Sequence, residues 1–183
     1  MSIGMDSMKI HDKLCRWFFG LFYDREYLNG KWFNENTGWG WAVRGLLFQK
    51  ILGINRNVPF PVSSSMKISE NPIIDFHPDD IDIFQHHGTF FQCNPGAIVL
   101  GKGTRVGYNV GIITQYYNPQ NVDELLPAED VIIGWNCRIG MNSVIMPGVI
   151  LGENTVVGAG SIVTHSFPDG NCTIAGVPAI VIR

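Results

Sequence analysis

Cations are scarce beyond Lys67: four lysines and arginines stand there against 11 aspartates and glutamates, whereas the residues up to Lys67 hold nine against five. The net charge of −3 therefore splits into +4 and −7. Binding of nucleic acid along the acidic part is excluded, because phosphate neutralisation needs clustered lysine and arginine. The basic front end is left free to meet an anionic surface. Cysteine is sparse as well. Cys15, Cys93, Cys137 and Cys172 make no CxxC pair and no metal-ligand spacing, so no metal site is expected. With no cleavable leader ahead of them, they read as reduced thiols of a cytoplasmic protein. Long apolar runs are missing too: the longest early one, Trp17 to Tyr23, falls far short of the ~20 residues that cross a bilayer.

What the chain has in plenty is aliphatic residues at a fixed interval. Ile133, Ile139, Ile145, Leu151, Val157 and Val163 fall every six residues without a miss, and Gly134, Gly140, Gly152 and Gly158 follow four of them directly. Small or modest residues, Cys137, Ser143, Val149, Thr155 and Ser161, recur at the fifth place. A helix would need apolar returns at three and four and a lone strand at two. Units of six suit instead a mainly β coil of short parallel strands, with glycine letting the backbone turn and each unit burying its face against the next. Leu100, Val106 and Ile112 keep the same period, and Val62, Ile68 and Ile74 mark a weaker start. Ile112 and Ile133 are 21 residues apart, not a multiple of six, so a loop must leave the coil between Thr114 and Asp130. Loops extruded from rigid scaffolds are favoured places for function.

The front end reads differently. "IHDKLCRWFFGLFY" and "GWAVRGLLFQKILG" have the mixed spacing of helices, the second stopping at Gly53. The expectation is two short helices joined through "NGKWFNENTGWG". Their aromatic residues suit a cap on the first coil or on a neighbouring subunit. The alternative reading is a peripheral membrane contact, suggested by Arg16, Arg44 and Lys50 beside those aromatics. Residues 1–57 are thus read as a helical, aromatic-rich extension, and 58–183 as the coil domain with loop 114–130 and a C-terminal tail.

The segments "VIIGWNCRIGMNSVIMPGVILGENTVVGAGSIV" and "TIAGVPAIVIR" resemble the hexapeptide-repeat acyltransferases, and among them sugar and capsular-polysaccharide O-acetyltransferases such as the galactoside and maltose enzymes. The resemblance runs from Val62 to Arg183. It implies a left-handed parallel β-helix, a homotrimer, and acetyl-coenzyme A as acyl donor in the cleft between neighbouring prisms. It also implies a hydroxyl of a sugar or surface glycan as acceptor. In that family a histidine of the extruded loop, in a context like "IITxxHD", takes the proton of the attacking hydroxyl, a task suited to imidazole.

Here the matching residues run from Ile112 to Asn118, and Tyr117 stands in the histidine's place. A phenol ordinarily titrates near 10 and is a poor general base at neutral pH. His86 and His87, in "FQHHGTFFQ", lie where related enzymes have a similar segment near the acceptor pocket; His87 is a substitute base and Gln92 a hydrogen-bond partner for the acceptor. By the same resemblance Ala159, Thr164, Ala175 and Gly176 line the cofactor channel. Met141 takes the place of a serine of the galactoside enzyme, and Arg138 that of a frequent tryptophan. Arg183 keeps a basic position of the tail, whereas His165 and Ile180 replace basic residues that face coenzyme A phosphates. Two readings follow: an O-acetyltransferase with Tyr117 in place of the family base, or a trimeric scaffold that keeps the fold and binds a glycan or protein partner.

Overall fold

One aliphatic residue in every six can point inward only if the chain turns a corner between each and the next. The structure, a computed structural model, describes residues 3–183, with side chains from residue 11 onward, and it contains such a coil with three faces. The first face stacks Lys67–Ile68, Phe90–Gln92, Gly111–Ile113, Val144–Ile145 and Ile162–Val163. The second stacks Ile74–Phe76, Ile98–Leu100, Val131–Ile133 and Ile150–Leu151, closed by a bridge from Leu151 to Phe167. The third stacks Arg105–Val106, Arg138–Ile139, Val156–Val157 and Thr173–Gly176, with Ala179–Val181 returning antiparallel at its end. Every other pairing within the faces is parallel.

Register puts one buried residue of each coil directly over the last. On the first face the column is Ile68, Phe91, Ile112, Ile145 and Val163; on the third it is Val106, Ile139, Val157 and Ile174. On the second it is Phe76, Leu100, Ile133 and Leu151. The first coil therefore departs from the period: Phe76 is the inward residue and Ile74 is only half-buried. The third side of that coil is not a strand but a 3-10 segment, Pro78–Gln85, which turns Ile81, Ile83 and Phe84 into the core.

The glycines after the aliphatic residues do not make the corners. Gly140 has no left-handed φ, yet a Cβ there would lie 2.5 Å from the backbone nitrogen of Ala159 in the next coil, so it is needed for close stacking. Corners fall instead on residues in the left-handed region, for example Asn109 (φ 56°), Asn142 (φ 59°) and Gly160 (φ 70°). Asparagine tolerates that region better than other side chains do. Asn109 Nδ2 also donates to Asn142 Oδ1 at 3.2 Å, so the corner residues form a ladder of their own.

In front of the coil lie α1 (Ile3–Phe19), a 3-10 turn (Arg25–Leu28), α2 (Lys31–Asn34) and α3 (Thr37–Gly45), which runs on into a π-helical stretch (Leu46–Ile51). The joining segment expected as a loop thus folds into α2 and the start of α3. The reason is a tertiary partner: Asp79 Oδ1 accepts from the Lys31 N–H at 2.9 Å, and the Asp79 carbonyl accepts from Trp32 Nε1 at 2.8 Å. Phe60 packs among Tyr27, Phe76 and Phe84 at centroid distances of 5.1, 4.9 and 4.5 Å, joining the helices to the first coil. Gln49, wholly buried, donates to the Phe60 carbonyl at 3.1 Å and accepts from the Val62 N–H at 3.0 Å. Among the described residues the four cysteines are unpaired, and no helix is long and apolar enough to cross a membrane.

Candidate active site

Most of the candidate residues lie along the two edges of the first face. That face is about 10 Å wide, three residues at the usual strand rise. The chain leaves it at the exit edge. There Thr114, buried, bonds twice to the Gln92 carbonyl, through N–H at 3.1 Å and Oγ1 at 2.9 Å. The loop then folds into an antiparallel hairpin, Tyr117–Asn118 against Asn121–Leu125. Its base is tied by Gln115 Nε2 to the Leu126 carbonyl at 2.7 Å and its tip by Asn118 Oδ1, which accepts from the Gln120 N–H at 2.9 Å. Tyr117 is 60% exposed, and its hydroxyl bonds to nothing among the described residues. Gln92 is half-buried on the same edge, paired in register with Ile113. Thr164 and His165 follow the last strand of the face, their side chains joined at 2.7 Å.

The entry edge is a continuous ridge. The Asn109 N–H donates to the His87 carbonyl at 3.1 Å, the Asn142 N–H to Tyr108 at 3.0 Å and the Gly160 N–H to Met141 at 2.9 Å. These bonds stack His87, Tyr108, Met141 and Ala159 one coil above another. Ala175 and Gly176 continue the ridge, since a Cβ on Gly158 would lie 2.8 Å from that of Ala175 and the Gly176 N–H reaches Ser161 Oγ at 3.2 Å. The backbone N–H groups of Met141 and Ala159 have no acceptor within the chain among the described residues. Between the two edges the register column Phe90, Gly111, Val144 and Ile162 provides an apolar floor.

His87 has partners that the sequence reading did not find. Its Nδ1 lies 2.5 Å from Ser65 Oγ, which is 2.8 Å from Ser63 Oγ. The serines fix the ring and leave Nε2 without a partner among the described residues. Tyr108 packs 4.9 Å from the His86 ring and 6.3 Å from that of His87. Beside them a cavity of about 230 Å³ is lined by Trp41, Arg44, Phe48, Gln85 and His87. The cavity forms because α3 folds onto the first coil, whereas Ser65 lies on the coil's own ladder, its carbonyl accepting from the Gly88 N–H at 3.0 Å.

Arg183 is not brought to the ridge. Its carbonyl accepts from the Thr173 N–H at 2.8 Å, at the opposite end of the third face, about 10 Å from Gly176 at the usual strand rise. Ile180, which pairs with Ala175, is exposed. The ridge is therefore poor in fixed positive charge. Thiol nucleophiles are poorly served as well: burial pushes the Cys93 thiol up to about 11 and that of Cys137 upward, which disfavours the reactive thiolate. Among the described residues no cluster of three or more histidine, cysteine or acidic side chains could hold a metal.

Residues 130–165 match the family model of the hexapeptide repeat of succinyl-transferase. That segment of the chain carries the hexapeptide repeat. The chain is similar to a solved hexapeptide-repeat-containing acetyltransferase of Vibrio cholerae O1 biovar eltor, determined with acetyl-coenzyme A. The two are 16% identical over 100% of this chain and 90% of that one, with a TM-score of 0.55. At that identity the likeness shows the fold: the coil is a left-handed parallel β-helix. A maltose O-acetyltransferase of Clostridium difficile 630 is 24% identical over 94% of this chain and 84% of that one, with a TM-score of 0.49. A polysialic-acid-specific acetyltransferase is 24% identical over 64% of this chain, TM-score 0.45, and the match spans about half, 51%, of that protein's length. No curated protein matches the chain.

Proposed function

We propose that the protein is an acetyl-coenzyme A-dependent O-acetyltransferase that modifies a hydroxyl of a sugar or surface glycan, working as a homotrimer in the cytoplasm. The observation that carries this reading is the entry-edge ridge. Close-packed coils, small side chains at Ala159, Ala175 and Gly176, and two unpaired N–H donors at Met141 and Ala159 suit the extended, amide-bearing arm of the donor. The phosphate end fits less well, because Ile180 and His165 supply no fixed charge and Arg183 stands across the third face. Weak donor binding is expected. Bound there, the donor supplies a thioester carbonyl open to attack.

Proton transfer falls to His87 rather than Tyr117. The serine-held ring lies on the same ridge as the donor groups, and imidazole is the side chain suited to the task near neutral pH. The acceptor hydroxyl attacks the carbonyl carbon as its proton passes to Nε2; the carbon–sulfur bond then breaks, and the proton returns to the departing thiolate. Tyr117, exposed on the hairpin, and Gln92 at its foot orient the acceptor. A second reading, a scaffold without catalysis, is favoured by one feature: the hairpin has no histidine and the Tyr117 hydroxyl has no partner to activate it.

Calorimetric titration with coenzyme A separates the two. The enzyme reading expects a Kd of about 1 mM or tighter, roughly −4 kcal/mol, and no heat at high concentration supports the scaffold. In a thiol-release assay with a saccharide panel, His87→Gln should lower kcat by about 100-fold or more and leave coenzyme A binding intact, whereas Tyr117→Phe should act mainly on the KM of the acceptor.

A further inference from the structure

Helix α1 has two faces, and the wrong one is apolar. Its inner face is fixed by Arg16 and Phe19, with Tyr23 just beyond. Arg16 bonds Asp12 at 2.8 Å and the Leu28 carbonyl at 2.6 Å, Phe19 stacks on Trp39 at 5.6 Å, and Tyr23 is buried against Gln49 at 3.3 Å. The outer face carries Leu14, Trp17 and Phe18, and the turn after the helix adds Leu21 and Phe22; these are 61, 59, 42, 63 and 39% exposed. Positions 14, 17 and 18 follow the i, i+3, i+4 spacing of a buried helical stripe, Leu21 and Phe22 prolong the apolar patch in the turn that follows, and nothing among the described residues covers them.

Cations border this stripe. Lys13, Arg16 and Arg25, with Trp17 and Asn29, line a cleft of about 350 Å³, and among the described residues neither Lys13 nor Arg25 has a salt-bridge partner. They belong to the part of the chain with nine basic and five acidic residues, in a protein whose net charge is negative. An apolar contact, with a second copy of the chain or with another protein, leaves the cation-lined cleft unexplained. Aromatic and aliphatic side chains beside lysine and arginine match the two layers of a lipid surface, acyl chains below and anionic headgroups above.

We infer that the outer face of α1 and the turn after it seat the protein on an anionic bilayer, with Leu14, Trp17, Phe18 and Leu21 entering the interface and the Lys13–Arg25 cleft receiving a phosphate headgroup. The helix lies in the plane of the membrane and does not cross it. This inference is independent of the acetyl-transfer reading, since it needs neither donor nor acceptor.

The full chain is tested by co-sedimentation with vesicles of phosphatidylcholine alone and of phosphatidylcholine with about one-third phosphatidylglycerol. The expected result is binding to the anionic vesicles, weak binding to the neutral ones, and release by salt. Leu21→Glu should reduce binding about tenfold or more, because a carboxylate then enters the interface. Lys13→Ala should reduce it about fivefold, the share of one cation near the surface. Val122→Glu, at a 73% exposed apolar position on the hairpin, should change nothing. Circular dichroism on each variant confirms that it is folded. No binding to anionic vesicles, or equal binding by wild type and folded Leu21→Glu, overturns the inference. So does a fall in the light-scattering mass of Leu21→Glu, which would assign the stripe to a second copy.

Discussion

Inside the coil the core side chains stand in columns, each with an equivalent in a neighbouring turn; in the helical layer there are no such columns. Ile145 lies between Ile112 and Val163 in one column, and removing a methylene from it disturbs contacts of a kind that recur along the whole solenoid. Phe60 has no such counterpart. It packs among Tyr27, Phe76 and Phe84, with Phe76 also against both of the others, and Gln49 ties the adjoining backbone at the Phe60 carbonyl and the Val62 N–H. Repetition makes the coil tolerant of local change, whereas the front layer depends on a few residues that cannot be exchanged.

The largest effect should therefore come from the junction. Phe60→Ala removes a wholly buried ring and should destabilise by about 3 to 5 kcal/mol, measured by denaturant unfolding; Ile145→Val in the coil should take away only about 1 kcal/mol. Equal losses would break the contrast. Next, Gln49→Leu leaves the Val62 N–H and the Phe60 carbonyl buried without partners, a penalty of about 2 to 4 kcal/mol. Thr155→Val in the coil, where Oγ1 donates to the Gly152 carbonyl at 2.7 Å, should lose about 1 kcal/mol.

The glycines sharpen the contrast within the coil itself. At Gly140 a Cβ meets backbone of the next turn, whereas at Gly160 it meets open space and only the φ of 70° resists it. Gly140→Ala should cost about 1 to 3 kcal/mol and Gly160→Ala about 1 kcal/mol, with thermal unfolding as the measure. Sequence alone does not separate these cases. A glycine after an aliphatic residue satisfies a rule for turning and a rule for close stacking equally well, and only coordinates distinguish them. The aliphatic columns were legible because stacking admits one inward residue per side. The hairpin was not, because Val122 and Leu125 are exposed and leave no buried pattern to read.

The site divides in the same way. Met141 and Ala159, 18 residues apart, fall one coil apart and could be placed by counting. Tyr108 joins their ridge only once the hairpin insertion is subtracted. The cavity beside His87 depends on where α3 packs, and no repeat fixes that. The inward shift from Ile74 to Phe76 has the same origin: the first coil is shaped by the helices in front of it rather than by its successors.

The smallest effect concerns the charge that fastens α2 to the first coil. The Lys31 N–H holds the Asp79 carboxyl below its ordinary range, aided by His77 and Lys102 against the opposing effect of burial. A depressed folded value means that Asp79 stabilises the fold above the ordinary aspartate range, near 3.9, and that this contribution is lost as pH falls through the folded value. The coil ladder is made of neutral backbone bonds and has no such dependence. Acidification should therefore loosen the helical layer first, seen as a change in tryptophan emission through Trp32, while circular dichroism of the coil persists. Asp79→Asn should lower stability slightly at neutral pH and flatten the acid step. If wild type and variant lose tryptophan signal at the same pH, the Asp79 carboxylate does not fasten α2 to the coil.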